Sequence, residues 1–340
     1  MWQKLLDIQK RIAPEVVSEL QKRSTILKQI RTYQPIGRRP LARQLNMTER
    51  VLRKEVDALH DLDLIDIDKK GISISQTGIE VLDELSPFMT TLDRRSGLAL
   101  KLQRQYNLQG CHIIRGDADE DPELQQELSQ LMAEEFQKMI FDNAIISVAG
   151  GSTMANVSQY LKPAEENLLF VSARGGLGEE VGNQANSIAS RLAKATGGEH
   201  RVLYAPDSVG DSVYESLKDE PSIKEITELN RRSDYVMHGI GEAFMMARRR
   251  NVEAAALSQL EADCAVGETF GYYFNAEGDI VRKVKTIGIQ LEDLASKKAI
   301  FAVAGGSSKK EAVRAYMKMA PKNTILFIDE AIGEFLLKND

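Results

Sequence analysis

Apolar residues recur at helical spacing over residues 24–33, where Ile26, Leu27 and Ile30 share a face, until Gln34-Pro35-Ile36-Gly37 stops the pattern. A second short helix is predicted over 38–45, with Pro40 accommodated in its first turn. Asn46-Met47 then turns the chain, and Thr48 is placed to cap a third helix that reaches about residue 61. On that helix Leu52, Val56 and Leu59 fall on one side, and Arg50, Arg53 and Lys54 on the other. Two alternating stretches, 64–68 and 72–75, flank Lys69-Lys70-Gly71 and predict a β-hairpin. Helix, helix, turn, helix, hairpin is the order of a winged helix-turn-helix. Its candidate DNA-contacting residues are Arg38, Arg39, Arg43, Thr48, Arg50, Arg53, Lys54, Lys69 and Lys70.

From 77 to about 108 the pattern is again helical, with a break expected at Ser86-Pro87. Beyond it, short apolar runs alternate with longer helical patterns: 111–114, 144–149, 168–173, 201–205, 235–239, 299–304 and 324–329. Such alternation predicts an α/β domain with a mostly parallel sheet covered by helices on both faces. Residues 271–281 depart from it and read as a hairpin-like insertion. The expected organisation is therefore 1–85 as the winged helix-turn-helix with an N-terminal helix, 86–108 as a helical connector, and 109–340 as an effector-binding and oligomerisation domain.

The length of 340 residues, 43% hydrophobic and 28% charged, suits a small domain joined to a large one and gives no push towards disorder. No stretch has the apolar length of a membrane span, and MWQKLLDIQK carries charges where a signal peptide needs an apolar region, so a cytoplasmic location is expected. Cys111 and Cys264 have no Cys or His at ligand spacing, and His60, His112, His200 and His238 are scattered, so no metal or other cofactor is expected. The net charge of −6 conceals an asymmetry. Between Lys22 and Lys54 ten basic residues face one acidic residue, Glu49, which puts +9 there and −15 on the rest. A basic DNA-contacting module on an acidic body has this signature, although a solvated basic face would give the same charge.

The large domain carries a near-repetition, VAGGST at 148–153 and VAGGSS at 303–308, each after an apolar strand and before a helical pattern. Paired glycines let the backbone bend and approach a ligand, and a helix start offers unpaired N–H groups. With Gly150, Gly151 and the hydroxyls of Ser152, Thr153, Ser307 and Ser308, each turn can cradle an anion, and Lys309 adds a positive charge at the second. For either copy alone a plain tight turn is the simpler reading; the matched pair favours anion binding. Arg174, directly after the strand 168–173, suits phosphate bidentately or an interdomain ion pair, and Gln184 follows on the next helix. Of Arg248-Arg249-Arg250 at a helix end, one or two can serve a single site, with Arg249 and Arg250 both open. Glu268 is a candidate acceptor for sugar hydroxyls or an ordinary loop carboxylate. GGSSKKE lacks P-loop spacing, and neither Gly176-Leu177-Gly178 nor Gly239-Ile240-Gly241 has the third glycine of a dinucleotide fingerprint, so nucleotide binding is unsupported.

The stretches PIGRRPLARQLNMTERVLR, LLFVSARGGLGEEVGNQAN, VMHGIGEA, ETFGYYFNAEGDIV and FAVAGGSSKKEA resemble the DeoR/SorC group of bacterial sugar-responsive regulators over nearly the whole chain. That group joins an N-terminal helix-turn-helix to a Rossmann-like domain related in fold to sugar-phosphate isomerases and deaminases, the NagB and ribose-phosphate isomerase type. The resemblance implies a repressor of a glycolytic operon, binding double-stranded operator DNA as a homodimer or homotetramer and relieved by a phosphorylated sugar, fructose 1,6-bisphosphate. It places phosphate and sugar contacts on Ser152, Thr153, Arg174, Gln184, Arg249, Glu268 and Lys309, with Arg250 the alternative to Arg249. The competing reading is an active sugar-phosphate isomerase or deaminase with a regulatory N-terminal domain, for which Glu268 and His238 are the weak acid-base candidates.

Overall fold

The structure is a computed structural model that describes residues 14–45, 47–92, 94–176, 180–206, 210–217 and 219–339. The turn residue Asn46, the loop residues Leu177, Gly178 and Glu179, and the segment 1–13 lie outside them. Two compact units divide at Gly97 and Leu98, inside the stretch read above as a connector.

The N-terminal unit opens with α1 (Pro14–Tyr33), α2 (Arg38–Gln44) and α3 (Glu49–Asp61). Ile26, Leu27 and Ile30 of α1, Leu41 of α2, and Leu52, Val56 and Leu59 of α3 form its core, as the helical spacing requires. Thr48 caps α3 by accepting from the Val51 N–H at 3.4 Å. The hairpin pairs β1 (Ile65–Ile67) antiparallel with β2 (Ile72–Ile74), and Ile36 bridges to Ile72 as a third strand. Gly71, at φ 145°, is needed there, because a Cβ would crowd the Ile36 backbone at 3.0 Å. α4 (Gln76–Leu92) runs on through Pro87, contrary to the expected break, and α5 begins only at Arg94 (Arg94–Gln105). A proline removes one helical hydrogen bond, which a 17-residue helix survives.

α1 starts at Pro14 rather than at residue 24, where its apolar spacing begins, and its first half is held by charge. Glu55, on the buried side of α3 and 2% exposed, accepts from Lys22 Nζ at 2.9 Å and Arg23 Nε at 3.1 Å, and both cations also reach Glu19. Arg31 pairs with Asp83, Arg38 with Asp57 and Arg39 with Glu49. The +9 of this stretch is thus partly neutralised, and the charge read from the sequence overstates what DNA meets. Removing one partner of a buried ion pair costs about 3–5 kcal/mol, less where the other partners can reach water as Lys22 and Arg23 can. Glu55→Ala should therefore lower stability by about 1–3 kcal/mol in urea unfolding. An unchanged midpoint would mean that these pairs contribute nothing.

The C-terminal unit is built on a seven-stranded, all-parallel sheet. In chain order its strands are β3 (Gly110–Ile114), β4 (Ile145–Val148), β5 (Leu169–Ser172), β6 (Glu199–Arg201), β7 (Tyr235–Gly239), β12 (Ala299–Val303) and β13 (Thr324–Asp329), and their spatial order is β3-β13-β12-β7-β4-β5-β6. Between them lie α6 (Glu123–Gln137), α7 (Ser152–Val157), α8 (Ala185–Thr196), α9 (Asp211–Leu217), α10 (Pro221–Arg232), α11 (Ala243–Arg249), α12 (Ala254–Ala262) and α13 (Lys310–Met319), and α14 (Glu330–Asn339) ends the unit. Because side chains alternate along a strand, Phe327 meets Phe136 and Met132 of α6 on one face while Leu326 and Ile328 meet Val313 and Tyr316 of α13 on the other. The edge strand β6 lies at Glu199–Arg201, ahead of the expected 201–205: its residues are all exposed, and the apolar Leu203 and Ala205 are buried just past its end. The expected hairpin is part of a larger antiparallel sheet of β8 (Gly241–Glu242), β9 (Ala265–Thr269), β10 (Tyr272–Asn275) and β11 (Ile280–Lys283). Among the described residues no helix is long and apolar enough to cross a membrane.

The chain steps from β4 outwards to β5 and β6, returns to β7 on the other side of β4, and then steps the opposite way to β12 and β13. The reversal opens a crevice beyond the carboxyl ends of β4 and β7, where ligands of open α/β sheets bind. Val148 is in register with Met237, and Gly239 with Val303, so the turns after β4 and β12 stand one strand apart at the same sheet edge.

Candidate functional site

In the N-terminal unit all nine proposed DNA-contacting residues are exposed. Arg50, Arg53 and Lys54 stand opposite the buried Leu52, Val56 and Leu59, Arg43 lies on α2, and Lys69 and Lys70 lie at the hairpin tip. None of these six has a carboxylate partner among the described residues, whereas Arg38 and Arg39 are in surface ion pairs. Thr48 uses its hydroxyl to cap α3, so its first role is to start the helix.

In the C-terminal unit the two Gly-Gly turns share a backbone conformation but not an environment. Gly151, at φ 135° and ψ 152°, precedes α7, and a Cβ there would meet nothing within 4 Å. Gly150 backs onto the Asn183 carbonyl, which also accepts from the Gly151 N–H at 2.9 Å. The N–H groups of Ser152 and Thr153, the first two of α7, find no acceptor among the described residues. Gln184, at the start of α8, brings its Oε1 beside Gly176, two residues after Arg174. Gly150, Gly151, Ser152, Thr153, Gln184 and the 174–176 backbone therefore gather at the ends of β4 and β5.

The second turn is already filled. Gly306, at φ 101° and ψ 132°, donates to Asp329, Ser307 N–H to Asp117 Oδ1 at 3.0 Å and Ser308 N–H to Asp119 Oδ2 at 2.7 Å. A Cβ on Gly306 would collide with the Asp119 carboxylate. The matched sequence thus gave one open turn and one occupied by the chain's own carboxylates, a correction to the reading of two equal cradles. Asp117 and Asp119 lie about two hundred positions from Asp329 and from the turn itself, and only the end positions of the runs 111–114 and 324–329 hinted at the three. Lys309 turns its Nζ back to the Gly305 carbonyl at 2.7 Å. Burial lowers its pKa, Asp119 and Asp329 oppose that, and Arg249 reinforces it.

A third cluster joins Arg174, Arg250 and Glu268. The Glu268 side chain, 3% exposed on β9, accepts from Arg250 at 2.8 Å, from Arg174 at 3.2 Å and from the Gly271 N–H. Arg250 also donates to Tyr273 Oη at 2.9 Å, a residue that the sequence did not single out. Burial alone would raise the Glu268 pKa, but the charges of Arg250 and Arg174 and the Gly271 hydrogen bond hold it below the ordinary carboxylate value. Glu268 is therefore the shared counter-charge of two arginines, with all three bonds ending on its Oε1, and Arg250 is engaged inside while Arg249 is exposed. His238 is enclosed as well: Tyr316 Oη lies 3.1 Å from Nε2, Thr269 Oγ1 lies 3.0 Å from Nδ1, and burial pushes its pKa down to about 4. Both ring nitrogens of His238, one of the two side chains weighed for acid-base chemistry, are thus already engaged.

The family model "CggR N-terminal DNA binding domain" matches residues 20–89 and "Putative sugar-binding domain" matches residues 92–338. Over 338 residues the chain is 41% identical to the central glycolytic genes regulator of Priestia megaterium, covering 98% of each chain. It is 40% identical to that of Bacillus subtilis over 338 residues, covering 99% of each. Among solved structures, a "putative SorC family transcriptional regulator" from Enterococcus faecalis is 38% identical with a TM-score of 0.67, covering 71% of this chain and 99% of that one. The full-length sorbitol operon regulator SorC of Klebsiella pneumoniae shares the fold at 16% identity, with a TM-score of 0.67 over 92% of this chain and 97% of its own. The chain therefore belongs to the central glycolytic genes regulators, SorC/DeoR-type transcriptional regulators that join a DNA-binding domain to a sugar-binding domain.

Proposed function

We propose that this regulator is a cytoplasmic, homo-oligomeric repressor of a glycolytic operon, and that fructose 1,6-bisphosphate releases it from operator DNA. The observation that carries the effector reading is internal to the chain. The turn at Gly306 holds oxyanions on consecutive N–H groups, and the turn at Gly151 has nearly the same local sequence and a similar conformation, with the Ser152 and Thr153 N–H groups open and that of Gly151 on the Asn183 carbonyl. What one turn does with carboxylates, the other is built to do with a phosphate.

In this reading one phosphate sits on Gly150, Gly151, Ser152 and Thr153, with Gln184 and Arg174 at its side. The second is drawn to Arg249 and Lys309. β4 and β12 are separated only by β7, so the two ends lie about 10 Å apart, a span that suits a sugar phosphorylated at both ends. Glu268, Arg250 and Tyr273 hold Arg174 in place rather than touching the sugar.

A bisphosphate should therefore outbind either monophosphate. In calorimetry, Arg249→Ala should cost about 1.5–3 kcal/mol in binding fructose 1,6-bisphosphate, the worth of a charge-assisted contact, and much less in binding fructose 6-phosphate. Thr153→Ala, which removes a neutral hydroxyl, should cost about 0.5–1.5 kcal/mol with both sugars. Equal affinity of the parent for the two sugars would remove the second phosphate position.

A further inference from the structure

We propose that Asp119 is a built-in competitor for the effector's second phosphate, a carboxylate parked on the Ser308 N–H over the Gly306 turn that the bound sugar must displace. The inference rests on the effector reading above and adds to it the residue that sets the affinity.

The comparison of the two turns supplies the argument. At Gly151 the face of the turn is open, whereas at Gly306, in the same conformation, the Asp119 carboxylate lies over the Cα and accepts the Ser308 N–H at 2.7 Å. Lys309 follows Ser308 directly and folds its ammonium back onto the Gly305 carbonyl at 2.7 Å, and the charges of Asp119 and Asp329 act to raise its pKa. The turn that carries Lys309 thus already holds an internal anion.

The three carboxylates at this turn are not equally fixed. Asp329 is fully buried and accepts from the N–H groups of Ala118, Gly306 and Ile332, so it ties three segments together. Asp117 is half-buried and accepts from the Asp119 and Ser307 N–H groups. Asp119 is exposed, and its one hydrogen bond from the turn is that of Ser308. It can swing into water by side-chain rotation while its own N–H stays on Asp117. A phosphate carrying up to two charges then meets Lys309 and Arg249 more strongly than a single carboxylate does. A weaker monoanion gains too little to displace Asp119.

The test is calorimetry of the full chain with fructose 1,6-bisphosphate and fructose 6-phosphate, using Asp119→Asn, Asp119→Ala and the charge-retaining Asp119→Glu. Both neutral variants should bind the bisphosphate roughly tenfold more tightly than the parent, because a neighbouring like charge and a competitor are removed together. Asp119→Glu should not gain. Fructose 6-phosphate should change less, and in a Lys309→Met background the gain from Asp119→Asn should vanish. Unchanged or weaker bisphosphate binding in both neutral variants, with thermal midpoints that show them folded, would overturn the proposal and leave Asp119 as a brace. Absence of sugar-phosphate binding by the parent and variants alike would overturn the effector reading, and this inference with it.

Discussion

Glu268→Ala is expected to lower the stability of the sugar-binding unit by about 3–5 kcal/mol, among the largest single effects this chain should show. The carboxylate is 3% exposed, and the side chains of Arg174 and Arg250, 9% and 4% exposed, both end on it. Deleting it leaves two guanidinium groups facing each other where water cannot screen them, and the Gly271 N–H loses its acceptor. Glu268→Gln keeps the shape and one acceptor oxygen, so its loss should fall between the parent and Ala. For a unit of this size the Ala variant should melt roughly 6–20 °C lower in calorimetry. A midpoint within a degree or two of the parent would show that the cluster rearranges without cost. The same experiment separates two roles, because a residue that only touched sugar would leave the ligand-free melting temperature unmoved.

The sheet was legible because each strand is an apolar run between polar turns, as in 324–329 and 299–304, buried throughout. The exception is instructive. Glu199-His200-Arg201 forms an exposed edge strand with one neighbour, so no apolar pattern marks it, and the nearby apolar residues drew the expectation to 201–205. The winged helix was legible for the converse reason: α3 alternates buried and charged positions at the helical period.

The second Gly-Gly turn was legible as a holder of oxyanions but not in what fills it. Paired glycines and hydroxyls announce an anion-binding turn, yet nothing local in VAGGSS says that Asp117 and Asp329, about two hundred positions apart, converge on it. Which of Arg249 and Arg250 turns inward was decidable in principle. Ala243 and Ala247 are the buried positions of α11, and Arg250, three residues after Ala247, continues their face inward while Arg249 turns away. What the sequence lacked was the knowledge that the two alanines, rather than Phe244 and Met245, face the core. The burial of Glu268 was not legible, because a carboxylate beside glycine and tyrosine reads as an ordinary loop residue until two arginines from other elements are seen to end on it.

Arg50→Ala and Arg53→Ala together are expected to weaken operator binding by up to about 2–6 kcal/mol, since a base contact is worth about 1–3 kcal/mol and coupling between these i,i+3 neighbours moves the sum from strict additivity. Both side chains are exposed on α3 opposite its buried face, and neither has a carboxylate partner among the described residues, so removing them costs no internal ion pair and should leave the melting temperature unchanged. The loss should be far smaller on non-specific DNA, which separates contacts to base edges from contacts to phosphate. Lys69→Ala at the hairpin tip should behave the other way, weakening all sequences alike and reducing the salt slope by about one counterion. A winged helix reads few base pairs by itself, so the full effect should appear on a two-half-site operator bound by at least two protomers and should shrink when one half-site is deleted. Fluorescence anisotropy over a salt series, on operator and on unrelated DNA, measures all of these quantities. If the double variant binds operator as tightly as the parent, α3 does not present this face to the bases.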